Sequence, residues 1–116
     1  MKRALERAHG VFDRRLRPCL GVRVAPGREA DFVAAYGPSG AWAALFRRAD
    51  GYVETLLLQD RAVPRRFVTV DRWRSGRDHD AFVAAFRAEY DALDRACEAL
   101  TEHEASLGSY AERAGA

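Results

Sequence analysis

Gly51-Tyr52-Val-Glu-Thr-Leu-Leu-Leu-Gln59 and Arg66-Phe-Val-Thr-Val-Asp-Arg-Trp73, joined by Asp60-Arg-Ala-Val-Pro-Arg65, form the stretch that decides the fold. Both runs are rich in β-branched, aromatic and aliphatic residues and read as neighbouring strands, and Pro64 in the connection cannot donate to a ladder. Leu56, Leu57 and Leu58 break the alternation expected of a half-buried strand, because successive side chains point to opposite faces. A strand that is apolar on both faces needs cover on both. Helices of so short a chain can cover one face. Something else must cover the other.

Upstream, Cys19-Leu-Gly-Val-Arg-Val24 reads as a strand with Leu20, Val22 and Val24 on one face, and Pro26-Gly27 ends it. Arg28 to Tyr36 reads as a helix with acidic residues early, where they favour the macrodipole. Gly37-Pro38-Ser39-Gly40 interrupts it, and Ser39 is placed to cap a second piece, Ala41 to Arg48, whose Trp42, Leu45, Phe46 and Ala49 share a face. Downstream, Ser75-Gly-Arg-Asp78 matches a capping box with Asp for Glu. The helix it opens carries Phe82, Phe86, Tyr90, Leu93, Cys97 and Leu100 in one stripe and is expected to bend near Tyr90. Leu107-Gly-Ser-Tyr110 is a candidate short last strand. The order predicts an α+β fold of the ferredoxin-like kind, a split βαβ sandwich with an antiparallel four-stranded sheet and helices on one face. The other face carries part of Leu56–Leu58, with Val68 and Val70. A twofold homodimer packed sheet on sheet would cover it.

The chain has 116 residues, 48% of them hydrophobic and 31% charged, which fits one globular domain. Its net charge of +2 divides unevenly, with residues 1–17 at +4 and the remainder at −2. The division suggests a basic N-terminal extension over 1–17 and an α+β domain over 18–116. In the extension, Leu5, Ala8, Phe12 and Leu16 recur at helical spacing, as in an amphipathic helix against a membrane or partner or in a frayed end that folding can spare. The body shows no basic patch suited to nucleic acid, and no apolar window reaches membrane-spanning length. Cys19 and Cys97 read as reduced thiols and, with no apolar leader segment, point to a cytoplasmic protein.

His9, His79 and His103 lack zinc-site spacing, and no phosphate loop, dinucleotide fingerprint or nucleophile elbow occurs, so neither metal nor cofactor is expected. Asp78 with Asp80 and Glu102 with Glu104 read as solvated pairs. The aromatics carry more information. Trp42, Phe46, Phe86 and Tyr90 from the helices and Trp73 from the second run are placed to converge between helices and sheet, as core or as the wall of a pocket for a flat ligand. Asp71 shares a strand face with Phe67, Thr69 and Trp73. A carboxylate desolvated beside an indole is a candidate base for a phenolic proton, and an ion pair with an arginine from another element is the alternative.

Val24-Ala-Pro-Gly-Arg-Glu-Ala-Asp-Phe32, Gly51-Tyr52, Phe67-Val-Thr-Val-Asp-Arg-Trp73-Arg-Ser75 and Leu107-Gly-Ser-Tyr110 together resemble the antibiotic biosynthesis monooxygenase-like domains of the dimeric α+β barrel superfamily. The likeness runs from about residue 20 to about residue 111 and rests on turn, strand and cap residues. It implies a homodimer with a pocket between helices and sheet, lined by Trp73. It also implies either cofactor-free oxidation of a phenol, quinol or polyketide-like aromatic, or haem breakdown. Catalytic members often use an asparagine near the pocket, and this sequence contains none. Haem degraders need a histidine on the second helix, where the inward stripe here is read as Phe82 and Phe86, with His79 apart from it. The two function classes carried forward are a cofactor-independent monooxygenase and a non-catalytic dimeric binding or accessory protein.

Overall fold

Tyr52–Gln59 and Arg66–Trp73 form an antiparallel hairpin with the bounds the residue pattern predicts, and they are β2 and β3 of the computed structural model, which describes residues 15–113. β1 (Leu16–Val24) pairs with β3, and β4 (Thr101–Ala111) pairs with β1, giving an antiparallel sheet of order β2-β3-β1-β4. α1 (Glu29–Tyr36) and α2 (Ala41–Phe46) connect β1 to β2, and α3 (Gly76–Ala85) and α4 (Arg87–Cys97) connect β3 to β4 through a 3₁₀ turn at Glu98–Leu100. The α+β, ferredoxin-like sandwich expected from the element order is the fold observed. Among the described residues, no helix is long and apolar enough to cross a membrane.

The inner face of the sheet presents Leu16, Leu20, Val22 and Val24 from β1, with Phe67, Thr69, Asp71 and Trp73 from β3. Phe32 and Tyr36 of α1, Trp42, Leu45 and Phe46 of α2, Phe82 of α3 and Tyr90 of α4 close over it. The α1–α2 corner depends on Gly40, where a Cβ would stand 2.6 Å from the Ala34 carbonyl and 2.7 Å from that of Ala35. Gly40 is also the N-cap residue of α2, which has no side-chain cap bond. The cap expected of Ser39 is therefore one residue off. At α3 the Ser75 cap forms as read, with the Asp78 amide donating to Ser75 Oγ at 3.1 Å, while the Asp78 carboxylate accepts from the Ser75 hydroxyl at 3.0 Å.

Four further expectations are corrected. β1 begins at Leu16, whose side chain is in the core and which pairs with Trp73 and Ala111, so the boundary drawn between 17 and 18 falls inside a strand. The helical reading of the rest of that segment lies outside the described residues. The long helix bends at Phe86, not Tyr90, with backbone bonds from the Phe86 amide to Phe82 (2.9 Å) and from the Tyr90 amide to Phe86 (2.8 Å) on either side. β4 starts at Thr101 and runs 11 residues instead of the short stretch at Leu107–Tyr110, because its ladder with β1 holds a mainly polar edge strand that needs no apolar pattern. Finally, Leu57 packs against the core, whereas Leu56 and Leu58 are 38% and 52% exposed. Of the three interface leucines expected, Leu57 faces the helices.

Leu16→Ala should lower stability by about 2 to 4 kcal/mol through lost burial and a residual cavity. Urea unfolding of the full chain would measure it. An unchanged midpoint would mean that the segment is as dispensable as its composition suggests.

Candidate active site

Period-2 alternation in β3 carries Asp71 and Trp73 onto the same inner face, and the hairpin register sets Thr55 directly across from Asp71. Asp71 is 3% exposed, and its Oδ1 accepts a hydrogen bond from Thr55 Oγ1 at 2.8 Å. Thr55 has one hydroxyl proton and gives it to the carboxylate, so the 2.7 Å contact between Thr55 Oγ1 and the Tyr52 phenol is donated by Tyr52. The register shift between Tyr52 and Glu54 makes this chain possible by turning Tyr52 to the same side as Thr55. A proton donor near the surface, a hydroxyl relay and a buried carboxylate thus lie in line. Burial raises the Tyr52 pKa above the ordinary tyrosine value; the Thr55 contact opposes that shift and the Asp71 charge adds to it.

Beside this chain lies an aromatic cluster. The Trp73 ring is 1% exposed and stands 5.6 Å from Phe46, 5.6 Å from Tyr52, 5.2 Å from Phe82 and 5.4 Å from the His79 imidazole, centroid to centroid. Trp42 meets Tyr90 at 4.9 Å and Phe46 at 5.9 Å. The edge-to-face and tilted geometries are those aromatic quadrupoles favour. Of the residues expected to line a pocket, Phe46 touches Trp73 directly, and Trp42 and Tyr90 stand one ring further out. Phe86 stacks on the far side of Phe82 at 5.4 Å and is only half-buried. These rings pack against one another.

His79 was expected outside the inward stripe. It is instead buried edge-on against Trp73, with Nδ1 3.3 Å from Asp80 Oδ1. The sequence reading also missed Tyr52 and Thr55 as members of the Asp71 site. The register that pairs Gln59 with Phe67 contains the clue, since it also pairs Thr55 with Asp71. Thr69, two residues before Asp71 on the same face, is fully buried, and its Oγ1 has no hydrogen-bond partner. Asp78 and Glu102, read as solvated, bond Arg74 at 2.7 Å and Arg65 at 2.9 Å. No three His, Cys, Asp or Glu side chains gather as a metal site among the described residues.

The sequence model of the antibiotic biosynthesis monooxygenase family matches residues 21–106. Solved structures superpose on most of the chain. SnoaB from Streptomyces nogalater, a cofactor-independent oxygenase determined as a point mutant, is 24% identical over 87% of this chain and 95% of its own, with a TM-score of 0.69. PA3566 from Pseudomonas aeruginosa is 22% identical over 90% of this chain and 100% of its own, with a TM-score of 0.65. Rv0793 from Mycobacterium tuberculosis is 19% identical over 88% and 98%, with a TM-score of 0.63. At these identities the likeness is one of fold. No curated protein sequence matches the chain.

The Tyr52 shift has a signed consequence. A phenol whose folded pKa is raised contributes stability that is complete below the unfolded value near 10 and is lost as pH rises through the higher folded value. Tyrosinate absorbance should show a late-titrating component that is absent from Tyr52→Phe. Titration of that component at or below the ordinary value would contradict the site geometry.

Proposed function

The chain belongs to the antibiotic biosynthesis monooxygenase family, and we propose that it is a cofactor-independent monooxygenase acting on a small electron-rich aromatic, a phenol or quinol. The observation that carries this reading is the buried Tyr52–Thr55–Asp71 hydrogen-bond chain beside Trp73. Asp71 takes the phenolic proton, and the resulting anion is electron-rich enough to pass one electron to dioxygen. The substrate radical and superoxide then combine, and a carbon–oxygen bond forms. The proton returned from Asp71 converts the peroxide to a hydroperoxide. The ring carbon that bears it then loses its C–H proton, whose bonding electrons form the quinone carbonyl as the oxygen–oxygen bond breaks, and the distal oxygen leaves with both protons as water. The substrate supplies all four electrons: one oxygen atom enters the product and the other leaves as water. Thr69 Oγ1, on the same inner face, is the donor for the oxygen that becomes negative along this path. Trp73 and Phe46 hold the ring and exclude water, the substrate replacing one aromatic contact with another.

The accessory-protein reading draws on a different observation, the close packing of the interior rings with Trp73 almost wholly enclosed. Oxygen uptake separates the two. A panel of quinols should give uptake without added flavin or metal, reduced about a hundredfold to ten-thousandfold in Asp71→Asn and less in Tyr52→Phe. Saturable binding with no uptake by any quinol would leave the binding role standing and remove the reaction.

The same family membership supports a homodimer. Leu56 and Leu58 are exposed on the outer face of the sheet, where Val68, Ala105 and Leu107 also line a groove of about 330 Å³ over Gly21. A second copy packed sheet on sheet would cover this apolar area. Free Cys19 and Cys97 fit a cytoplasmic setting. Light scattering should give twice the 13.0 kDa chain mass. Leu58→Lys should yield a folded monomer, whereas Leu57→Lys should lose the fold. A native chain that stays monomeric at micromolar concentration would remove the interface.

A further inference from the structure

A phenol gives up an electron readily only when its proton leaves with it, because the oxidised ring is a strong acid. Tyr52 meets that condition. Its hydroxyl donates to Thr55 Oγ1 at 2.7 Å, and Thr55 donates to Asp71 Oδ1 at 2.8 Å, so a carboxylate stands two short hydrogen bonds from the phenolic oxygen. Burial raises the Tyr52 pKa, so the phenol enters any such step protonated. The Arg47 guanidinium lies over the Tyr52 ring at 5.9 Å and opposes a positive charge left there, which ties electron loss to proton loss. The other half of the couple is Trp73, whose ring stands 5.6 Å from that of Tyr52, centroid to centroid, inclined at 66°. Trp73 is almost wholly enclosed and Tyr52 is partly exposed, so the pair connects the interior to the surface. Asp71 shares the inner face of β3 with Trp73, and its negative charge favours a positive indole before the proton arrives.

We propose that Tyr52 is a redox-active residue, which refills an oxidised Trp73 with one electron while its proton passes through Thr55 to Asp71. The oxidant is a peroxyl radical by class. It takes one electron from Trp73 and one proton from solvent and becomes a hydroperoxide. Tyr52 returns an electron to the indole radical cation. In the same event the Tyr52 proton moves to Thr55 Oγ1 and the Thr55 proton moves to Asp71 Oδ1, leaving a neutral tyrosyl radical and a carboxylic acid. A soluble one-electron reductant of the ascorbate class meets Tyr52 at the surface and supplies the missing electron, and Asp71 returns the proton along the same two bonds. The net change is the reduction of the peroxyl radical by one electron from the reductant and one proton from solvent. The layer of rings is thereby spared covalent oxidation. This role is separate from oxygenation and needs no aromatic substrate.

Photogenerated tris(bipyridine)ruthenium(III) under argon is the test oxidant, with neither quinol nor dioxygen present, so the outcome does not depend on the oxygenation reaction. The chain has two tryptophans, and Trp42→Phe leaves Trp73 as the only indole. In that protein, transient absorption should show the indole radical decaying as a tyrosyl radical grows in, at a rate independent of buffer-base concentration. The same measurement on the native chain reads both indoles together. Tyr52→Phe keeps the ring and should lengthen the indole radical lifetime by at least about tenfold. Asp71→Asn should lengthen it similarly and make the decay accelerate with buffer base, since the proton must then go to solvent. Thr55→Val cuts the same path at its middle and should behave like Asp71→Asn, so loss of fold in either variant leaves the other to decide. A purely structural role for these residues would not move the buffer dependence. An indole lifetime unchanged in Tyr52→Phe, no tyrosyl growth, or buffer-dependent decay with Tyr52, Thr55 and Asp71 all in place would overturn the assignment.

Discussion

Asp71 is a carboxylate in a row that otherwise buries Phe67, Thr69 and Trp73, and its removal from water constrains everything packed around it. An ion in that position costs several kcal/mol unless hydrogen bonds replace its hydration. Thr55 supplies one from the adjacent strand, which requires the β2–β3 register to be held without slippage. A one-residue slip would turn Thr55 to solvent and bring Leu56 over the carboxylate. Register is held from both ends. Asp60 receives the Ala62 and Val63 amides in the connecting turn, and the Arg74 amide bonds the Gly51 carbonyl beyond the last pair. The site is therefore a property of the hairpin first and of the helices second.

The helices contribute a wall of rings rather than polar groups. Phe32, Tyr36, Trp42, Phe46, Phe82 and Tyr90 form a connected series from one end of the sheet to the other. Such a layer excludes water from Asp71, which strengthens hydrogen bonds at the sheet surface. It also makes the interior adaptable, since one flat ring can stand in for another with modest change in dispersion energy. In the proposed reaction, close packing and ligand uptake are compatible because the displaced contact and the new one are of the same kind.

The elements legible from sequence are those whose physics is local. β2 and β3 announce themselves by β-branched content, and α3 by a Ser75 hydroxyl three residues from the Asp78 amide. β4 was largely hidden because the ladder to β1 holds an edge strand whose Glu102, His103 and Glu104 carry no apolar pattern. Leu16 was hidden among arginines, although its partners Trp73 and Ala111 lie far along the chain. The leucine run showed that two faces needed cover, but only the observed register and the shift near Tyr52 assign Leu57 inward and Leu56 and Leu58 outward. For the site, periodicity identified Asp71 and the aromatics that face inward. It could not say whether those rings leave a space or fill it, because that depends on interlocking across four separate elements.

The absence of asparagine then takes on a definite chemical meaning. A side-chain amide near a pocket offers two N–H donors and a carbonyl acceptor, whereas a threonine offers a single donor. Two threonines face the interior beside Asp71, and their hydroxyls are differently engaged. Thr55 commits its proton to the carboxylate and uses its lone pair to accept from Tyr52. Thr69 is as deeply buried, yet its hydroxyl bonds nothing, at a cost of about 1 to 3 kcal/mol for a polar group shut away from water. Valine would fill the same space with no such cost. A hydroxyl in that position serves packing poorly, and in the proposed reaction it is the donor for the incoming oxygen, on the strand face it shares with Trp73.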